Sequence, residues 1–202
     1  MIPKPSNQEI ADALYGTAML AKQDPGGLHR LDGSVDGFWK SFYAAVLLAP
    51  AYALLLWMGR YGEMEGIDLG AVFFVEAVAY VGAWLFWPVL ASEICRVLDP
   101  KLDVRTYIVA CNWSEIWIML VRFPLLTLLV WGVFSDGLYA LISLITLFAV
   151  LYYRFLIARQ TLPAETPFAT GMAVTDLIAG LMWRYGADMA IAPWLAAAAV
   201  TS

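Results

Sequence analysis

Long uncharged runs alternate along the chain with short charged stretches, and the lengths of those runs identify the surrounding solvent. A helix crossing a hydrocarbon core of about 30 Å needs about 20 mostly apolar residues. Five segments approach that length. Segment 41–58 is uncharged, 69–92 is interrupted only by Glu76, 106–134 carries Asn112, Glu115 and Arg122, 137–153 is uncharged but short, and 168–183 carries Asp176. The pattern predicts an all-α polytopic membrane protein, a bundle of five transmembrane helices. A polar segment, 1–40, precedes the bundle and a short tail, 184–202, follows it.

Composition agrees. Of 202 residues 62% are hydrophobic and 14% charged, with mean hydropathy +0.71. A soluble domain carries about 25% charged residues, so this chain has too few to cover an aqueous surface, and the lipid bilayer is its first partner. A net charge of -5 without any Lys/Arg-rich run argues against nucleic acid. The basic residues are distributed unevenly between the connecting segments. Lys4, Lys22, Arg30, Lys40, Arg96, Lys101, Arg105, Arg154 and Arg159 fall on one side, and only Arg60 and Arg184 on the other. The side rich in Lys and Arg faces the cytoplasm, which predicts a cytoplasmic N-terminus and a periplasmic C-terminus. No early apolar core precedes a small-residue cleavage site, so the first apolar run is expected to direct insertion itself. Trp39, Tyr43, Trp57, Tyr61, Trp87, Tyr107, Trp131, Tyr152, Tyr153 and Trp183 lie near predicted span ends, where aromatic belts form.

Within segment 1–40, Ser6 and Glu9 fit a capping box, and Ile10, Leu14, Ala18 and Ala21 follow at helical spacing. Asp24-Pro25-Gly26-Gly27 ends the pattern. An amphipathic helix over about 6–23 is expected. It either packs on the inner face of its own bundle or contacts the membrane surface or a partner through Ile10, Leu14, Tyr15 and Gly16.

The candidate chemistry lies in the spans. Asn112, Glu115, Met119 and Arg122 recur at helical spacing and share one face. Charge facing lipid is costly, so that face must turn to other helices or to a cavity. Depth, at about 1.5 Å per residue, puts Glu76 level with Arg122 and suggests an ion pair between them. It puts Asp176 level with Glu115. Two readings of Glu76, Asn112, Glu115, Arg122 and Asp176 follow: a structural polar network, or a proton or cation pathway. The small residues Gly171, Thr175 and Ala179 form a stripe suited to close helix packing. Pro50, Pro88 and Pro124 fall inside apolar spans.

Cys95, Cys111 and the single His29 form no metal-spaced set, and no HExxH, GxSxG or phosphate-binding glycine loop occurs. Neither a metal, nor a cofactor, nor an enzymatic activity is expected.

Five spans, a cytoplasmic N-terminal segment and a short outer tail resemble the Yip (Ypt/Rab-interacting) family and its bacterial relatives. Ala13-Leu14-Tyr15-Gly16-Thr17 is similar to that family's Asp-Leu-Tyr-Gly-Pro motif, matching at Leu14, Tyr15 and Gly16. The resemblance implies a non-enzymatic protein of the bacterial inner membrane that organises membrane or recruits partners. The expected function is a scaffold or accessory subunit, with a membrane-protein partner or as a homo-oligomer. The alternatives are a small proton- or cation-coupled transporter or channel, and a lipid-handling protein.

Overall fold

The computed structural model describes residues 3–60, 69–99, 101–162 and 165–199, and every regular element among them is helical. Seven α-helices follow one another: α1 (Asn7–Ala21), α2 (Val35–Ser41), α3 (Tyr43–Arg60), α4 (Leu69–Leu98), α5 (Arg105–Val130), α6 (Asp136–Thr161) and α7 (Thr166–Ala199). A 3-10 turn, Pro25–Arg30, lies between α1 and α2.

Helix α1 starts on a complete capping box. The Glu9 amide donates to the Ser6 hydroxyl at 3.2 Å, and the Ser6 amide donates to the Glu9 carboxylate at 2.6 Å. Its other end turns through Gln23 at φ 59, and the chain folds back so that the 3-10 turn lies along the helix. Gly16 makes that approach possible: a Cβ there would stand 2.8 Å from the Gly27 carbonyl oxygen. Ala13, Gly16, Thr17 and Leu20 form the buried face of α1. That face rests on α5 and α6. Trp117 Nε1 donates to the Leu14 carbonyl at 3.1 Å, Tyr153 to the Thr17 carbonyl at 2.9 Å and Gln160 to the Leu20 carbonyl at 2.8 Å. Of the two expected placements of α1, the structure has the one against its own bundle. Ile10 and Leu14 are half-buried against the core, and Gly16 is buried. Tyr15 remains 56% exposed, with the Arg30 guanidinium over its ring.

Among the described residues, four stretches are long and apolar enough to cross a membrane: Val35–Met58, Gly70–Leu98, Arg105–Val130 and Gly137–Thr161. The chain is thus an all-helical protein with membrane-embedded character. The fifth predicted span, 168–183, lies in α7, which is not among the four. The helix carries Asp176, Arg184 and Asp188, and runs without interruption through most of the predicted outer tail. Pro50, Pro88, Pro124 and Pro193 all lie inside helices.

Helices α4 and α7, α7 and α6, α6 and α5, and α5 and α3 pack in succession. Helix α5 is the centre of this arrangement. Tyr107 to Ser114 are buried without a break, as a helix wrapped on every side requires, because α1, α2, α3 and α6 all lie against it. Tyr107 and Trp87 belong to this core rather than to an interfacial belt. Tyr153 and Trp183 likewise bond to backbone carbonyls inside the molecule. Trp39, Trp57, Trp131 and Tyr152 are exposed as an aromatic belt requires, and Tyr61 lies outside the described residues. The packed stripe of α7 is Ala169, Met172, Ala173, Ala179, Ala187 and Ile191. Gly171 is not part of it, since a side chain there would meet open space. Ala179 is buried, and Thr175 is half-buried.

Candidate functional site: a charged cavity between the helices

A cavity of about 360 Å³ lies between α3, α4, α5, α6 and α7. Its walls are mostly apolar and aromatic, with Tyr80, Trp84, Trp87 and Trp183 among them. Asn112, Glu115, Met119 and Arg122 all line it. The predicted polar face of α5 therefore does turn inward.

Arg154 of α6 organises the deeper part. Its Nη1 donates to the Cys111 carbonyl at 3.0 Å and to the Ser114 hydroxyl at 2.8 Å, its Nη2 pairs with Glu115, and its Nε lies 3.1 Å from Asp176. One guanidinium thus ties α6 to α5 and α7, using donors in the fixed fork geometry that only arginine offers. The Arg154 side chain is 8% exposed. Removing one member of so buried an ion pair leaves the others without compensation, which costs about 3–5 kcal/mol. Glu115 and Asp176, predicted to lie at one depth, meet on the same cation. Asn112 lies below them and donates to the Ser41 hydroxyl at 2.8 Å, joining α5 to the end of α2.

A second cluster lies further along the bundle. Arg184 of α7 grips Glu76 of α4 with two parallel bonds, at 2.9 and 3.0 Å, and also pairs with Asp188 one turn on. Tyr52 of α3 donates to the same Glu76 carboxylate at 3.0 Å. The predicted Glu76–Arg122 pair does not form in this arrangement. Depth alone put those two residues at one level, but α4 packs along α7 and touches α5 only slightly, so the cation that reaches Glu76 comes from α7. Trp183 secures this contact. Its ring stacks on Phe86, its indole donates to the Ala79 carbonyl at 2.8 Å, and it occupies the space a side chain at Gly82 would need.

Arg122 has a different environment. It is exposed in the cavity wall and makes no ion pair or hydrogen bond to any described residue.

Both key arginines escaped the reading of the sequence as interior groups. The uncharged run 137–153 places Arg154 in a cytoplasmic connection, yet α6 continues for two more turns. Two signals pointed to it: a 17-residue span is barely sufficient, and two acids at one depth need a cation. Arg184 was assigned to the tail for the same reason, the truncation of α7.

A third group of carboxylates, Glu9, Asp32 and Asp36, converges at the N-terminal segment. Lys40 is the cation there, 2.7 Å from Glu9 and 2.6 Å from Asp36. The Lys40 ammonium, followed by the Ser6 amide and hydroxyl, holds the Glu9 carboxyl down at about 2.

No family model, curated protein or solved structure matches the chain.

Proposed function

We propose that this chain is a non-enzymatic integral membrane protein of the Yip-like, five-span type, acting as a scaffold or accessory subunit within a larger membrane assembly. In this reading α7 is the fifth crossing, the N-terminus faces the cytoplasm and the C-terminus the periplasm of a bacterial inner membrane. The orientation draws on the excess of Lys and Arg in the predicted cytoplasmic segments. That excess persists when Arg154 and Arg184 are moved into helices.

The observation that carries the reading is the Arg154 bridge. The intramembrane carboxylates at Glu115 and Asp176 are fastened to one buried cation with three helices around it, the arrangement of a packing device. The Leu14-Tyr15-Gly16 stretch has a packing role as well: Leu14 accepts the Trp117 indole, and Gly16 admits the 3-10 turn. The outer faces of α3 to α7 expose large apolar side chains, among them Phe74, Leu120, Phe148 and Met182. These suit lipid and the flat helix-to-helix contacts of a membrane complex.

The test is detergent-free extraction from the native membrane, followed by mass spectrometry of what co-purifies. A stoichiometric membrane-protein partner is expected; a lone monomer overturns the accessory reading. The cavity favours a second reading, a proton- or cation-coupled carrier, because it reaches Glu115 and Asp176. Proton flux into liposomes that disappears on Glu115→Gln or Asp176→Asn would replace the first reading with the second.

A further inference from the structure

Two charges of opposite sign line one wall of the cavity, two helical turns apart. Arg122 presents a guanidinium with five N–H donors, none of them bonded to a described residue. A short distance along the same wall, Glu115 and Asp176 share Arg154, leaving that cluster with one negative charge in excess. Glu115 is its accessible member, with a side chain 35% exposed against 19% for Asp176. Along α5, Glu115 and Arg122 are two helical turns apart, about 10 Å at 1.5 Å per residue. The excess charge and Arg122 balance in sum, but the sum does not satisfy the donors. The Arg122 donors are open to the cavity, where an anionic acceptor would make charge-assisted hydrogen bonds with them. Trp87 lies in the same wall and is 9% exposed.

An anion alone would satisfy Arg122 and leave the cavity with excess negative charge. A cation alone would neutralise the carboxylate cluster and leave the donors of Arg122 unmet. We propose that the cavity is a binding site for a zwitterion, with its anionic group on Arg122 and its ammonium group beside Glu115. Tyr80, Trp84 and Trp87 also line the cavity, and aromatic rings are favourable neighbours for an ammonium. Leu48, Phe86 and Trp183 extend the walls as apolar surface. The volume lies at the lower end of the range for small-molecule sites, roughly 300–1,000 Å³. Two sources supply this chemistry: the headgroup of a phosphatidylethanolamine-type lipid, or a free solute of the amino-acid or phosphoethanolamine kind. The inference does not depend on the accessory role.

The test uses the full chain in nanodiscs of mixed phosphatidylethanolamine and phosphatidylglycerol, with native mass spectrometry of retained lipid. In parallel, phosphoethanolamine is titrated against the tryptophan fluorescence. Enrichment of the zwitterionic over the anionic lipid by about tenfold, the worth of one charge-assisted contact, and lost in Arg122→Gln, establishes the lipid source. A saturable fluorescence response to phosphoethanolamine, lost in the same variant, establishes the soluble source. Arg122→Lys should retain part of either signal. Ala83→Leu adds bulk to the cavity wall at an exposed position without removing a charge and should abolish binding, which keeps the test decisive if Arg122→Gln does not fold. Equal retention of the two lipids together with no fluorescence response overturns the proposal, as does binding that survives both Arg122→Gln and Ala83→Leu.

Discussion

The two ends of the bundle are built differently. At one end, the first half of α5 is buried on all sides by α1, α2, α3 and α6, with the last turns of α6 and the first turns of α7 closing around it. At the other end, the second half of α5 and the first half of α6 carry hardly any buried residue. Leu120, Val121, Leu141, Leu144 and Ile145 are exposed there. The difference shows which interactions hold each end. Where the N-terminal segment wraps the bundle, packing of a continuous apolar core suffices. Beyond it, the helices are joined mainly by polar fasteners, of which Arg184–Glu76 is the clearest, and the rest of their surface faces the membrane. The Arg154 bridge lies at the boundary between the two regimes. Its contrast with Arg122 makes the point again: one arginine has its donors occupied by three carboxylate or carbonyl partners and a hydroxyl, and the other has no bonded partner among the described residues.

If this contrast is correct, Arg154→Gln should have the largest effect, about 3–5 kcal/mol of stability lost, because Asp176, 19% exposed, and the half-buried Glu115 are left without their cation. Unfolding of the full chain in nanodiscs should show that loss, whereas Arg122→Gln should change stability by less than about 1 kcal/mol, a difference the same melts would reveal. Next comes Gly16→Ala at the packed end. The new methyl collides with a backbone carbonyl, and overpacking of this kind costs about 1–3 kcal/mol, outweighing a helix-propensity gain of about 1 kcal/mol or less. Earlier proteolysis of the N-terminal segment would register it. Asn112→Ala should cost about 1–2 kcal/mol through the lost bond to Ser41, measured by the same melts.

The smallest effect concerns the capping box. Ser6→Ala should cost about 1 kcal/mol or less, detectable as fraying of α1 in hydrogen exchange. The contribution of Glu9 should depend on pH with a definite sign. Its carboxyl is held at about 2, well below its usual value of 4.5, so the stabilisation is complete above the unfolded pKa. It is lost as pH falls through the window from about 4.5 to 2. Exchange protection of α1 measured across that window should fall with pH in the parent protein and stay flat in Glu9→Gln.

Much of this architecture was legible in the chain. The capping box predicted the start of α1, and the apolar runs predicted five crossing helices, four of which correspond to stretches long and apolar enough to cross a membrane among the described residues. The spacing of Asn112, Glu115, Met119 and Arg122 predicted an inward face on α5. The depth argument brought Glu115 and Asp176 together correctly because both meet at one cation between neighbouring helices. The same argument failed for Glu76 and Arg122, since depth does not specify which helices are adjacent. Helix ends were the other blind spot. An arginine in an apolar protein reads as the end of a span, and for Arg154 and Arg184 that hid the two residues on which the interior depends.

The most direct test of the central claim is a double-mutant cycle between Arg154→Gln and Asp176→Asn, read as unfolding free energy in nanodiscs. The account predicts strong coupling, on the order of 1–3 kcal/mol, with the double variant less damaged than the two single losses sum to. Additivity within about 0.5 kcal/mol would mean that the bridge does not hold α6 to α7, and the structural reading of these charges would be wrong.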